Sequence, residues 1–324
     1  SKILPEGSLQ LIPGTGKGIL DHVGHNDIVT FTGSASTGKI LKSHPNILEN
    51  SVPFNMEADS LNACVLGEDV DENSDEFSIF IKEVYREMTA KTGQKCTAVR
   101  RILVPENKID HVQKALITKL EKTVIGNPEN KNVKMGALAS KIQVERVREN
   151  VELLMESQEK VFDNSPNLNL VDASEEKGAF FSPVLFRNDD PFLKDAVHNI
   201  EAFGPVSTLI PYKNMAEAVE LVEMGKGSLV TSFVSNDDQK SKEFVVETAH
   251  TNGRILVLNS RCSKESTGHG SPMPQLAHGG PGRAGGGEEM GGIRGIKHYL
   301  QRTAIQGHPE TITKITEQFQ IGGN

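Results

Sequence analysis

Four local patterns in this sequence have the residue types for chemistry on a small molecule. Cys96 lies in Lys91-Thr-Gly-Gln-Lys-Cys-Thr97, after an amphipathic stretch and before an apolar one that starts near Arg101. A free thiol has a pKa of about 8.5 and is mostly protonated at neutral pH, so a nucleophile here needs a nearby base, a positive end or an array of donors. Gly93 and its polar neighbours permit a tight turn that presents sulfur and a backbone N–H together; a lone cysteine reads more readily as a small buried apolar residue. Ile28-Val-Thr-Phe-Thr-Gly-Ser-Ala-Ser-Thr-Gly-Lys39 is an apolar strand ending in Gly33, then a helix start capped by Ser34, then Gly38. Such a junction aims N–H groups and the positive end of a helix outward, where a phosphate binds, although an N-capped helix with packing glycines gives the same pattern. Glu57 closes Val52-Pro-Phe-Asn-Met-Glu-Ala58, either at a strand end or as a solvated carboxylate. Glu201-Ala-Phe-Gly-Pro205 reads by itself as a Gly-Pro turn after a surface helix.

The elements that must hold these residues alternate between short β-branched runs and longer periodic ones, which indicates an α/β protein. Strands are expected at residues 28–32, 63–66, 101–104, 206–211, 229–234 and 254–258, and helices at 76–89, 109–123, 142–158, 215–223 and 239–247. Residues 267–295, which include His278-Gly-Gly-Pro-Gly-Arg-Ala-Gly-Gly-Gly287, lack a hydrophobic period and read as a long loop. Residues 4–14 read as a helix tail, a turn and a short strand without a partner, and 309–320 as a short helix. The chain has 324 residues, 36% hydrophobic and 24% charged, enough for two packed cores. A net charge of -8 without basic runs argues against duplex nucleic acid as a partner. No run approaches the roughly 18 to 20 apolar residues of a membrane span, and the first ten residues lack signal-peptide character, so a cytoplasmic protein is expected. Cys64, Cys96 and Cys262 are too few and too far apart for a disulfide framework or a metal knuckle, and no metal is expected.

Taken in order, the patterns resemble the aldehyde dehydrogenase superfamily over most of the chain. Phe31-Thr-Gly-Ser34 is similar to that family's pyrophosphate turn, and Asn55-Met-Glu-Ala58 stands where it has Glu-Leu-Gly-Gly-Lys. Gly93-Gln-Lys-Cys96, with the cysteine 39 residues after Glu57, matches its Gly-Gln-x-Cys loop. Glu201 to Val206 matches its Glu-Ile-Phe-Gly-Pro-Val signature. The resemblance implies an aldehyde dehydrogenase-type α/β fold: a partial Rossmann-like cofactor domain plus an α/β catalytic domain. Residues 1–60 would be the C-terminal remainder of the dinucleotide-binding domain, and 61–266 the catalytic domain. Residues 267–324 would be a Gly-rich return loop, an oligomerisation segment and a linker towards an absent hydratase domain.

The resemblance further implies that Cys96 attacks an aldehyde and that Glu57 is the general base for hydrolysis of the resulting thioester. Gly33, Ser34 and Gly38 would seat the pyrophosphate, Glu201 would hold the nicotinamide ribose, Phe203 would pack near the ring, and Ala58 would offer main-chain contact to the carboxamide. One departure is Ala58-Asp-Ser60, which replaces the glycines after the base. With the segments His278–Glu289 and His298–Gly307, it looks like the dehydrogenase part of the bifunctional enzymes of phenylacetate degradation. Those imply a CoA-linked semialdehyde as substrate and NADP as cofactor, with NAD as the alternative. A semialdehyde dehydrogenase of aerobic benzoyl-CoA degradation and a noncatalytic oligomerising fragment are the competing readings. The first strands of the cofactor fold and an upstream oxyanion Asn would precede Ser1, so a truncated chain is expected, with weak cofactor binding in isolation. Further copies of the chain are expected as partners, pairing through the β-prone residues 299–305.

Overall fold

The computed structural model describes residues 5–14, 16–289 and 292–323; the expectations that touch Leu4, Met290 and Gly291 lie outside these. The strands are β1 (Val29–Thr32), β2 (Phe54–Glu57), β3 (Ala63–Leu66), β4 (Arg101–Pro105), β5 (Ile125–Gly126), β6 (Glu159–Asp163), β7 (Leu170–Val171), β8 (Val184–Arg187), β9 (Val206–Tyr212), β10 (Ser228–Val234), β11 (Asn252–Leu258), β12 (His278–Gly279) and β13 (Glu288–Glu289). The α-helices are α1 (Ala35–Lys42), α2 (Pro45–Glu49), α3 (Asp75–Thr89), α4 (Ile109–Leu120), α5 (Lys141–Met155), α6 (Met215–Glu223), α7 (Asp238–Thr248), α8 (Gly292–His298) and α9 (Pro309–Thr316). The chain divides into one compact unit over residues 1–289 and a second over 290–324.

In the first unit, seven strands form a sheet in the order β11-β10-β3-β4-β9-β8-β6. Every neighbouring pair is parallel except β6 against β8. β3, β4 and β10 are buried along their whole length, as strands of a parallel sheet covered on both faces must be. Strand alternation sorts their side chains. Cys64, Leu66, Ile102 and Val104 pack with Phe80, Val84 and Met88 of α3 and Val112 and Leu116 of α4. Ala63, Val65 and Leu103 face the other way, against Ala218, Leu221 and Val222 of α6 and Phe244 of α7. Each large aliphatic or aromatic side chain so buried contributes roughly 1.5–3 kcal/mol.

The helices start where short polar side chains can take their first N–H groups. Ser34, Ser74, Ser140, Asn214 and Asp237 each accept from the backbone of α1, α3, α5, α6 and α7 respectively. β1 and β2 form a separate parallel pair in which Thr32 stands opposite Glu57. Because α1 and α2 connect them, Val29 to Glu57 form a strand–helix–strand piece.

All six expected strands and the five expected helices are present, most with shifted ends. The helix expected over 142–158 stops at Met155, because β6 begins at Glu159. The glycine-rich run is largely loop, but it is packed: Ala58 N–H donates to Ala284 O at 3.0 Å and Gly287 N–H to Met56 O at 3.0 Å. Near the start, Pro5–Gly14 contains a turn and no strand. In the second unit, α8 and α9 are separated by a turn and coil over 299–308, with no strand among the described residues. No helix of the described residues is long and apolar enough to cross a membrane.

Candidate active site

A cleft of about 1340 Å³ opens where the C-terminal ends of β1 and β2 face the N-terminal approaches to β3, β4 and β9. Gly33, Ser34, Glu57, Ala58, Cys96, Glu201 and Phe203 all line it; Gly38 does not.

Cys96 is delivered by a strained turn. Lys91, Thr92 and Gly93 have φ values of 51, 56 and 67°, and a β-branched residue such as Thr92 adopts that region only when its surroundings compel it. Thr92 Oγ1 donates to Gly136 O at 3.0 Å. A Cβ on Gly93 would stand 2.2 Å from Gly204 O, so only glycine lets this turn touch the loop that carries Glu201 and Phe203. The contact is stitched by Arg100, whose Nη2 donates to Gly93 O at 2.9 Å and Nη1 to Gly204 O at 2.6 Å. Gln94 adds a bond from Nε2 to Phe203 O at 3.2 Å. Behind the turn, the buried Asn62 donates from Nδ2 to Cys96 O at 2.8 Å and Ala98 O at 3.0 Å. Cys96 is thereby held half-exposed on the cleft. Cys64, by contrast, is sealed in the sheet, and burial, with help from Glu83 and Glu87, pushes its thiol well above the usual range.

Glu57 ends β2 with its side chain 4% exposed. A carboxylate oxygen of Glu57, the Cys96 sulfur and a ring nitrogen of His278 all lie within 4.8 Å of one another. Among the His, Cys, Asp and Glu side chains of the described residues, this is the one group of three spaced closely enough to hold a metal ion. His278 Nε2 is 3.7 Å from Glu57 Oε2. In the sequence His278 belongs to a glycine run, and its signal there is an imidazole among residues that have almost no side chains to bury.

The turn at Gly33 differs from the outward-facing donor array expected of it. Gly33 N–H donates to Glu57 O at 3.2 Å and Gly38 N–H to Ser34 O at 2.9 Å, so both are committed within the protein. Gly38 answers to packing, since a Cβ there would stand 2.4 Å from Met56 Sδ and 3.1 Å from Phe31 Cε1. Ser34 Oγ accepts from Thr37 N–H at 3.2 Å, and Asp59 Oδ1 accepts from Ala35 N–H at 2.9 Å. Asp59, one of the residues that replace the family's glycines, therefore puts a carboxylate at the helix end that favours an anion. The N–H of Ala58 is likewise taken, by Ala284 O. On the far side of the cleft, Glu201 Oε1 lies 3.4 Å from Arg100 Nε, and Oε2 accepts from Ser60 N–H at 3.4 Å. Burial lifts the Glu201 carboxyl to about 7; Arg100 opposes the rise and Asp59 adds to it. The Arg100 guanidinium also lies 5.4 Å over the Phe203 ring.

Comparison with known proteins follows this geometry. The family model described as "Aldehyde dehydrogenase family" matches residues 2–305. The 3,4-dehydroadipyl-CoA semialdehyde dehydrogenase of Aromatoleum evansii is 41% identical over 279 residues, covering 86% of this chain and 54% of that one. A protein named MaoC from Klebsiella aerogenes is 46% identical over 189 residues, covering 58% of this chain and 55% of that one. With 54% and 55% of their lengths matched, the chain spans about half of these curated relatives. Among solved structures, a mutant of apo betaine aldehyde dehydrogenase from Staphylococcus aureus has a TM-score of 0.75 at 25% identity, covering 90% of this chain and 54% of that one. A mutant of the same enzyme in complex with NAD+ has a TM-score of 0.72 at 24% identity, covering 86% and 52%, which is a likeness of fold. The family model extends over nearly the whole chain, and on that match the chain belongs to the aldehyde dehydrogenase family.

Proposed function

We propose that the protein carrying this chain oxidises a CoA-linked semialdehyde to the carboxylic acid with NADP, NAD being the alternative cofactor. The observation that carries this reading is the approach of the Cys96 sulfur and a Glu57 carboxylate oxygen to within 4.8 Å on an open cleft. These are a nucleophile and a base within reach of one acyl carbon. The cleft suits a nicotinamide dinucleotide because its lining includes the helix start at Ser34, Cys96 and the buried Glu201 carboxyl, a partner for sugar hydroxyls. Ser34 and the Gly33 turn would hold the pyrophosphate end, with Gly38 giving the helix room to pack. Glu201 and Phe203 would hold the nicotinamide end, and Ala58 would meet the carboxamide through its carbonyl. When bound, the nicotinamide ring accepts the hydride lost from the aldehyde carbon.

Cys96 thiolate adds to the aldehyde carbon, and the backbone N–H of Cys96 is the donor assigned to the oxyanion that forms. Loss of hydride leaves a thioester on Cys96. Glu57 then takes a proton from water as the water oxygen bonds to the acyl carbon, and cleavage of the C–S bond returns the thiolate with the acid product. Support for a CoA-linked substrate comes from the name of the Aromatoleum relative and from the cations Lys91, Lys134 and Arg146 on the cleft lining, which complement phosphate groups. That relative also favours the 3,4-dehydroadipyl-CoA semialdehyde of its name as the alternative substrate; comparing kcat/KM for it and for the phenylacetate-derived semialdehyde decides between them. Self-association through residues 299–305 stays part of the proposal, with Tyr299, Leu300 and Ile305 exposed for it. In the intact protein, Cys96→Ser is expected to abolish aldehyde oxidation while leaving cofactor binding in place; turnover at the parental rate refutes the nucleophile.

A further inference from the structure

We propose that His278 is the positioning residue for Glu57, holding the carboxylate so that it serves thioester hydrolysis and leaving thioester formation to Cys96. Three histidines are buried among the described residues: His198, His269 and His278. Two of them are structural. His198 sits between Arg101 Nη1 at 3.2 Å and Pro191 O at 3.2 Å, and burial with Arg101 lowers it to about 3. His269 shares a 2.6 Å hydrogen bond with Ser232 Oγ, and burial with Arg254 and Lys95 lowers it to about 3 as well. His278 instead faces the carboxylate and the thiol of the cleft.

Its backbone is fixed by contacts that only glycine allows. A Cβ on Gly279 would stand 2.1 Å from Gly287 O, and one on Gly280 would stand 2.4 Å from Ser228 O. The run is thus docked main chain to main chain, with His278 opposite Glu289 in the β12–β13 pair. Glu57, at the end of a four-residue strand, has a terminal carboxyl torsion that is intrinsically broad. At 3.7 Å, His278 Nε2 is just beyond hydrogen-bond length from Oε2 and within ion-pair reach, so it biases which oxygen turns away to meet the water. In hydrolysis the water oxygen bonds to the acyl carbon, one water proton moves to Glu57, the C–S bond breaks, and the Cys96 thiolate leaves. His278 makes and breaks no bond in these steps; it sets the direction of the base.

The inference rests on the assignment of Cys96 and Glu57 above. The test is stopped-flow measurement of reduced cofactor in the intact protein for His278→Asn and His278→Gln, alongside Glu57→Gln, the His278→Asn/Glu57→Gln pair and Cys96→Ser. Each histidine variant is expected to give a burst of about one reduced cofactor per site at a near-parental rate, then a steady rate lower by roughly 10- to 100-fold, the scale of a misaligned catalytic group. The double variant should be no slower than Glu57→Gln alone, because His278 acts through that carboxylate. A parental steady rate in both histidine variants overturns the proposal, as does loss of the burst, additive losses in the double variant, or unfolding of both variants. Turnover in Cys96→Ser would instead count against the nucleophile reading and not specifically against His278.

Discussion

Arg100 and Glu201 show how single residues tune this cleft. Arg100 directs its fork to two backbone carbonyls, Gly93 O and Gly204 O, and its charge to Glu201, so it ties the Cys96 turn to the Glu201-Phe203 loop. Burial lowers its own pKa, while Glu201 works against that loss. Glu201 is raised from 4.5 to about 7, chiefly by burial. A carboxyl shifted upward favours the protonated fold, so its contribution to stability is full below 4.5 and is lost as pH rises through about 7. Binding has the opposite sign, since sugar hydroxyls donate best to the ionised carboxylate. Cofactor affinity of the intact protein is therefore expected to rise between pH 5.5 and 8, and Glu201→Gln to flatten both the affinity profile and the loss of stability. Fluorescence titration of the cofactor and thermal unfolding across that range check it; an unchanged slope in Glu201→Gln contradicts it.

The turn that carries Cys96 is the element on which the geometry hinges. Gly93→Ala adds a side chain at φ 67° and places its Cβ 2.2 Å from a carbonyl oxygen, so the two loops must part. A destabilisation of about 1–3 kcal/mol is expected for the backbone strain, together with a changed rate of Cys96 alkylation by iodoacetamide. Parental stability and alkylation would remove Gly93 from this role. The elements of the sheet centre were readable in the sequence because β3, β4, β9 and β10 are short apolar runs between polar punctuation. β6 was hidden by Glu159, Lys160 and Asp163, the charges of an edge strand. Glu57 and Cys96 could be named from local motifs and family resemblance, but no local period shows that the end of β2 and the turn before β4 bring them together. Arg100 left no signal of its own and His278 only an imidazole among glycines, because Gly204 and Glu201, which Arg100 holds, and Glu57, which His278 faces, lie more than a hundred residues away in the chain.

At the scale of the whole molecule, residues from the first sixty positions, from the sheet and from the glycine-rich return all meet at one cleft. The chain covers 54% and 55% of its curated relatives, so the measurement belongs to the intact protein. The most direct one is mass spectrometry of Glu57→Gln after mixing with aldehyde and oxidised cofactor, followed by peptide mapping. Slow hydrolysis should trap the acyl group as a thioester on the peptide that contains Cys96, at about one per site, with one reduced cofactor formed for each. An acyl group on Cys262 or Cys64, or full turnover with no covalent intermediate on Cys96, would contradict a cleft in which this sulfur attacks and Glu57 completes the hydrolysis.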